Sequence, residues 1–132
     1  MLDHISTLEQ LEIEAIEIDA YLKTTCSEDG NEATLRGNDV QVYIARTGKM
    51  LADAKYWQDE AVKNSILFEL GKKFQIPPSI LKQLVEASTK KENYLVNWIE
   101  RLNRTATHHS DWLRTLISKA KAEMTMQGHG SY

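Results

Sequence analysis

The residues whose types could do chemistry fall in a few short stretches, and each can be judged by what its reaction would demand. His108 and His109 stand side by side in "RTATHHSDW". Neighbours on a helix point about 100° apart, so the pair does not present two ligands on one face. A third ligand would have to come from His4, Asp111 or His129, and no close metal-binding framework joins them. The expectation is no metal and no cofactor, with His109 lying in a helical seam through its ring edge or one buried polar contact.

Asp53, Asp59 and Glu60 could converge with acids nearer the amino end. General acid-base or metal-assisted hydrolysis needs clustered or opposed carboxylates, whereas Asp53 and Glu60 share only a helical facing. A polar face paired with Lys49, Lys55 and Lys63 is the simpler reading. Cys26 is the only cysteine; no adjacent base or transition-state pocket accompanies it, which reads as a replaceable thiol. "TTCSEDGNEATLRGND" lacks the alternating ligands and closing glutamate of a calcium loop, and "YIARTGKMLADAKYWQDEA" lacks the glycine spacing of a phosphate loop. There, Arg46, Lys49 and Lys55 are expected to compensate the acidic amino-terminal segment rather than to bind an anion. No catalytic residue is assigned, and an enzyme is not expected.

The stretch "ILFELGKKFQIPPSILKQLVEAS" carries the sharpest binding hypothesis. Two apolar segments around a proline turn suit a helix-turn-helix, although the same pattern joins helices in packed bundles. In the DNA reading, Leu70 and Phe74 brace the second helix. Ser79, Lys82 and Gln83 approach the duplex, and Lys72, Lys73, Lys90 and Lys91 contact phosphates. Gln83 is the base reader, because its amide can pair with adenine. Glu86, the absence of arginine there and the acidic amino end weigh against it.

These residues must be positioned by helices. Leu8, Leu11, Ala15, Ile18 and Leu22 recur at three- and four-residue steps and predict a helix over 8–24, with Ser6 or Thr7 as cap. Residues 25–38 read as a polar connection, followed by a helix from Asp39 to about Gly71 along Val40, Ile44, Thr47, Leu51, Ala54, Gln58, Ala61, Ser65 and Phe68. Ser79 would cap a short helix over 79–88, after Pro77 and Pro78. Leu95, Ile99, Leu102, Ala106, His109, Leu113, Leu116 and Ala120 predict a last helix over 91–125, with a break at Ser110 as the alternative. Residues 126–132 read as a flexible tail.

The fold expected is all-α, an elongated antiparallel helical bundle with a short proline-capped helix, formed as one domain over residues 1–125. The chain has 132 residues and a formal charge of -3, unevenly placed. Residues 1–35 hold nine acids against one lysine, and the remainder ten acids against fifteen bases. Such asymmetry suits packing between oppositely charged parts better than one broad nucleic-acid face. The single cysteine fits a reducing, cytoplasmic setting; neither a signal peptide nor a membrane span is expected.

Tyr43, Trp57, Tyr94, Trp98 and Trp112 lie in the long helices, where aromatic rings fill grooves or anchor a partner. The functional expectation is a helical adaptor or assembly factor acting through protein association, as a homo-oligomer or with another protein. Leu51, Trp57, Trp98, Leu102 and Trp112 form its interface. DNA binding through residues 66–91 is the alternative.

Overall fold

The computed structural model describes residues 4–24 and 29–130, apart from the side chains of 66–68 and 127–130. Among the described residues the chain forms helices and no strand: α1 (Leu8–Lys23), α2 (Gly30–Lys63), α3 (Ile66–Phe74), α4 (Pro78–Ser88) and α5 (Lys90–Gly130). The protein is an all-α bundle in which the long helices pack on one another. None of these helices is long and apolar enough to cross a membrane.

Local chemistry fixes most helix ends. Thr7 accepts from the Gln10 amide at 3.2 Å while the Gln10 side chain accepts from the Thr7 amide at 2.9 Å, a reciprocal capping box. Asp29 caps α2 by accepting from Asn31 N. The helix therefore starts nine residues before the expected Asp39. The reason is tertiary. Gly30 lies against Ala120, so close that a Cβ on it would sit 2.8 Å from the Ala120 Cβ, and Ala33 is buried with Ala106 and Leu113. Burial against α5 outweighs the poor helix propensity of the glycines and asparagines in this stretch.

The expected continuation of this helix to Gly71 does not occur: α2 ends at Lys63, and Asn64 and Ser65 separate it from α3. Asn and Ser side chains compete with backbone hydrogen bonding and favour helix ends. At the carboxyl end there is no break at Ser110, which lies buried in the seam. The helix also runs past 125 to Gly130, since no described glycine takes the left-handed conformation that would turn the chain away.

The antiparallel pairing of α2 and α5 is read directly from its partners. Residue 30 meets 120, Gln41 meets Ser110, Thr47 meets Asn103, and Gln58 meets Asn93. Because α2 begins opposite Ala120, the last ten residues of α5 run past it. α1 lies antiparallel to α2 through Ser6–Asp53, Glu14–Arg46 and Tyr21–Asp39. The core is two clusters along these helices. One holds Leu11, Ala15, Ile18, Met50, Ala54, Leu95, Ile99 and Leu102; the other holds Ala33, Val40, Ala106, Leu113 and Leu116.

Polar rungs interrupt the apolar seam and define its register. The Asn103 amide donates to Thr47 Oγ1 at 2.9 Å and to Ile44 O at 3.1 Å; Gln41 donates to Ser110 Oγ at 2.9 Å, and Gln58 to Asn93 Oδ1 at 2.7 Å. A one-turn slip would separate all three pairs and lose their part-buried hydrogen bonds. In this register no buried side-chain nitrogen or oxygen among the described residues lacks one.

Candidate protein interface

Two charged nodes tie α1 and its lead-in to α2 and α5. Arg46 forms a two-pronged pair with Glu14, which raises the pKa of its guanidinium, and reaches Ser6 Oγ at 3.4 Å. Lys49 joins the buried Asp53 and donates to His4 O at 2.8 Å, while Asp53 also accepts from the Ser6 amide. Thus Arg46 compensates an acid of α1 directly, whereas Lys49 holds the lead-in to that helix. Lys55 points to solvent.

The second node centres on Arg36, a residue the sequence reading passed over. Its guanidinium donates to Tyr21 O, Thr24 O and Thr24 Oγ1, closing the carboxyl end of α1, and to His109 Nε2 at 2.8 Å. It also lies 4.5 Å from the Tyr21 ring centre. His109 therefore makes one polar contact in the seam and is neutral at Nε2. Burial first, and the Arg36 charge second, push its imidazole below the ordinary range. Burial also raises the Tyr21 phenol, which donates to Asp39.

Among the described residues, those considered for catalysis or metal binding do not assemble into a site. Asp53 serves the Ser6 and Lys49 contacts, Glu60 pairs with Lys63 on its own helix, and Asp59 is exposed. His108 is exposed and Asp111 faces Arg114. Among the described residues no three His, Cys, Asp or Glu side chains group as metal ligands. Cys26 and the His129 side chain lie outside the described residues.

The predicted interface residues divide by depth. Leu51 and Trp57 pack against the core, Leu102 is buried within it, and the Trp57 indole donates to Ser6 O at 2.7 Å. Trp98 is half-buried and packs against the same core, and Trp112 is exposed, stacked on His109 at 5.8 Å. Spacings of four, three and eleven residues place Tyr94, Trp98, Arg101 and Trp112 on one shoulder of α5. Tyr94 is 70% exposed, with its ring centre 6.3 Å from that of Trp98. Trp98 and Arg101 separate two depressions, of about 160 Å³ beside Tyr94 and about 190 Å³ beside Leu22 and Thr105. Tyr94 and Arg101 were not singled out as a pair; their helical phase with Trp98 was the available signal.

The α3–α4 segment is a helical hairpin with a three-residue turn, Gln75 to Pro77. Gln75 takes the left-handed conformation (φ 51°) that ends α3, and Pro78 opens α4, so Ser79 is not the cap. Gly71 lets the helices cross closely: a Cβ there would lie 2.5 Å from Leu81 Cδ2. Lys72, Lys73, Ser79, Lys82, Gln83, Lys90 and Lys91, named for DNA, are all exposed. So are Phe74, Ile80 and Leu84, at 68%, 49% and 39%. Between α4, the end of α2 and the start of α5 lies a cleft of about 620 Å³ with Val62, Leu81 and Val85 on its apolar side and Asp59, Lys82 and Glu86 on its polar side.

No protein-family model, curated protein or solved structure matches this chain.

Proposed function

We propose that the protein is a helical adaptor or assembly factor that works by protein association through the outer shoulder of α5. The observation that carries this reading is the row of Tyr94, Trp98, Arg101 and Trp112. Tyr, Trp and Arg are the side chains that dominate binding energy at protein contacts, where a ring enters a depression and excludes water around an arginine. Trp98 between its two depressions has that form. The bundle fixes the row by burying Leu95, Ile99 and Leu102 on the adjacent face, so a partner meets a preordered surface.

Light scattering coupled to size-exclusion chromatography over a concentration series tests the reading. A mass above the 15.1 kDa chain, returned to monomer by Tyr94→Ala with Arg101→Ala at unchanged helicity, supports it. If the wild type is monomeric throughout, and immobilised wild type retains no protein that the double variant fails to retain, the reading fails.

The hairpin favours one second reading, DNA binding. Two short helices around a three-residue turn match a helix-turn-helix, with the phosphate-contacting candidates in solvent. Against it, Ile80 and Leu84 stand exposed on the would-be recognition helix and Glu86 carries the wrong charge for phosphate. Fluorescence anisotropy with duplex DNA decides: binding that weakens with salt and with Lys73→Gln plus Lys82→Gln supports the reading, and binding indifferent to both changes removes it.

A further inference from the structure

We infer that His109 is a proton-operated latch on the carboxyl end of α1: a proton taken up at Nε2 displaces Arg36, loosens that end and opens the wall of the depression beside Trp98. The last step regulates the α5 shoulder and rests on the association reading above. The geometry admits one protonation state. Arg36 Nε carries a hydrogen and must donate, so His109 Nε2, at 2.8 Å, accepts with a lone pair and holds no proton. The same guanidinium donates through Nη2 to Tyr21 O at 3.0 Å and Thr24 O at 2.8 Å, and through Nη1 to Thr24 Oγ1 at 3.0 Å. A guanidinium is planar and rigid, so displacement at Nε is felt by all three bonds to the end of α1.

A proton at Nε2 removes the lone pair and sets two cations at hydrogen-bond range. The ring is the member that stays, because it stacks on Trp112 and an imidazolium gains from an aromatic face. The charged groups around it are engaged with one another. On α2, Asp39 accepts from the Tyr21 phenol of α1; on α1, Asp19 pairs with Lys23; on α5, Asp111 pairs with Arg114 and His108 is turned to solvent. Burial and the Arg36 charge hold the imidazole below its ordinary 6.5, so the latch opens in acid below that value. The other end of α1 is held by Arg46 on Glu14, by Lys49 on Asp53 and by the Trp57 indole on Ser6 O, and no imidazole takes part. Mild acid therefore frees one end only. That end matters to the shoulder, since Asp19, Leu22 and Lys23 form the α1 side of the depression whose α5 side includes Trp98, Arg101 and Thr105.

Hydrogen exchange on the full chain, between about pH 7.5 and about pH 5 and corrected for the intrinsic rate at each pH, tests the latch. Protection of residues 16–24 should fall about fivefold in wild type while that of residues 8–14 holds. His109→Gln keeps an acceptor for Arg36 but takes up no proton, and should abolish the fall. Arg36→Gln should leave residues 16–24 equally loose at both pH values. Protection of 16–24 unchanged by acid in wild type, an equal loss over 8–14, or a loss that persists in His109→Gln overturns the latch. Light scattering over the same range tests the step to the shoulder. Association that weakens in acid for wild type but not for His109→Gln supports it, and association indifferent to acid while 16–24 loosens overturns it. A wild type monomeric at every pH removes the α5 reading and this step together, while exchange still decides the latch.

Discussion

The α2–α5 seam and the α3–α4 hairpin are built from similar amphipathic helices and reach opposite outcomes. Along the seam, two helices of about 51 and 61 Å run antiparallel over most of their length, so the apolar residues that face each other are buried and polar interruptions meet as rungs. The helices of the hairpin have nine and eleven residues. Such helices offer few turns to bury, and Val85 is the only buried apolar residue on α4. Its ties to the bundle are local: Asn93 donates to Thr89 Oγ1 and Glu86 O, and Ser65 meets Ser88. Amphipathicity alone thus does not decide burial; length and the presence of an opposing stripe do.

The largest effect that would break this comparison is in the seam. Ile99→Ala removes a fully buried side chain and should cost about 2–5 kcal/mol, seen as a lower midpoint in denaturant-induced unfolding. The rung comes next: Asn103→Ala should cost about 1–2 kcal/mol by the same measurement, because Thr47 Oγ1 and Ile44 O lose a shared donor. Gly71→Ala should act elsewhere. Its Cβ meets Leu81, so about 1 kcal/mol of strain should speed amide exchange over residues 66–88 while α2 and α5 keep their protection. Equal loss of protection in both regions would show that the hairpin and seam open together.

A pH effect sharpens the comparison further, since the seam holds a titrating group of lowered pKa. His109 is neutral in the fold, and its folded pKa lies below the ordinary 6.5. The unfolded chain therefore binds the proton more readily. This contribution is fully present above pH 6.5 and is lost as pH falls from there through the folded value. Melting followed across that window should decline for wild type, and His109→Gln should flatten this part of the slope. The smallest effect belongs to the surface: Arg104→Ala removes an exposed pair with Glu100 one turn away and should change stability by no more than about 0.5 kcal/mol.

Much of the fold could be read before any coordinates. The stripe from Leu8 to Leu22 gives α1 with its Thr7 cap, and Leu95 to Leu116 gives α5 without a break. Thr47 and Gln58, polar members of a largely apolar stripe, mark two of the seam's rungs. The early start of α2 was not legible, because what holds Gly30 and Ala33 in a helix is Ala120 and its neighbours on α5, roughly ninety residues away. For the interface, Trp98 and Trp112 were legible as aromatics on one side of a helix. That Leu102, named for the interface, is buried and Tyr94 is 70% exposed was not, since what packs opposite α5 decides how much of its apolar side is covered.

The sequence by itself determined that the chain is helical and where α1, α4 and α5 lie, for the physical reason that periodicity, caps and breakers act within a few residues of one another. It also set the acidic amino-terminal helix against the basic later segment, since charge is a property of composition. Only the tertiary structure decided which apolar residues are covered, which polar groups meet as rungs, and that Arg36 joins the end of α1 to His109 on α5. Those outcomes depend on the distance between residues far apart in the chain, and that distance exists only once the helices have packed.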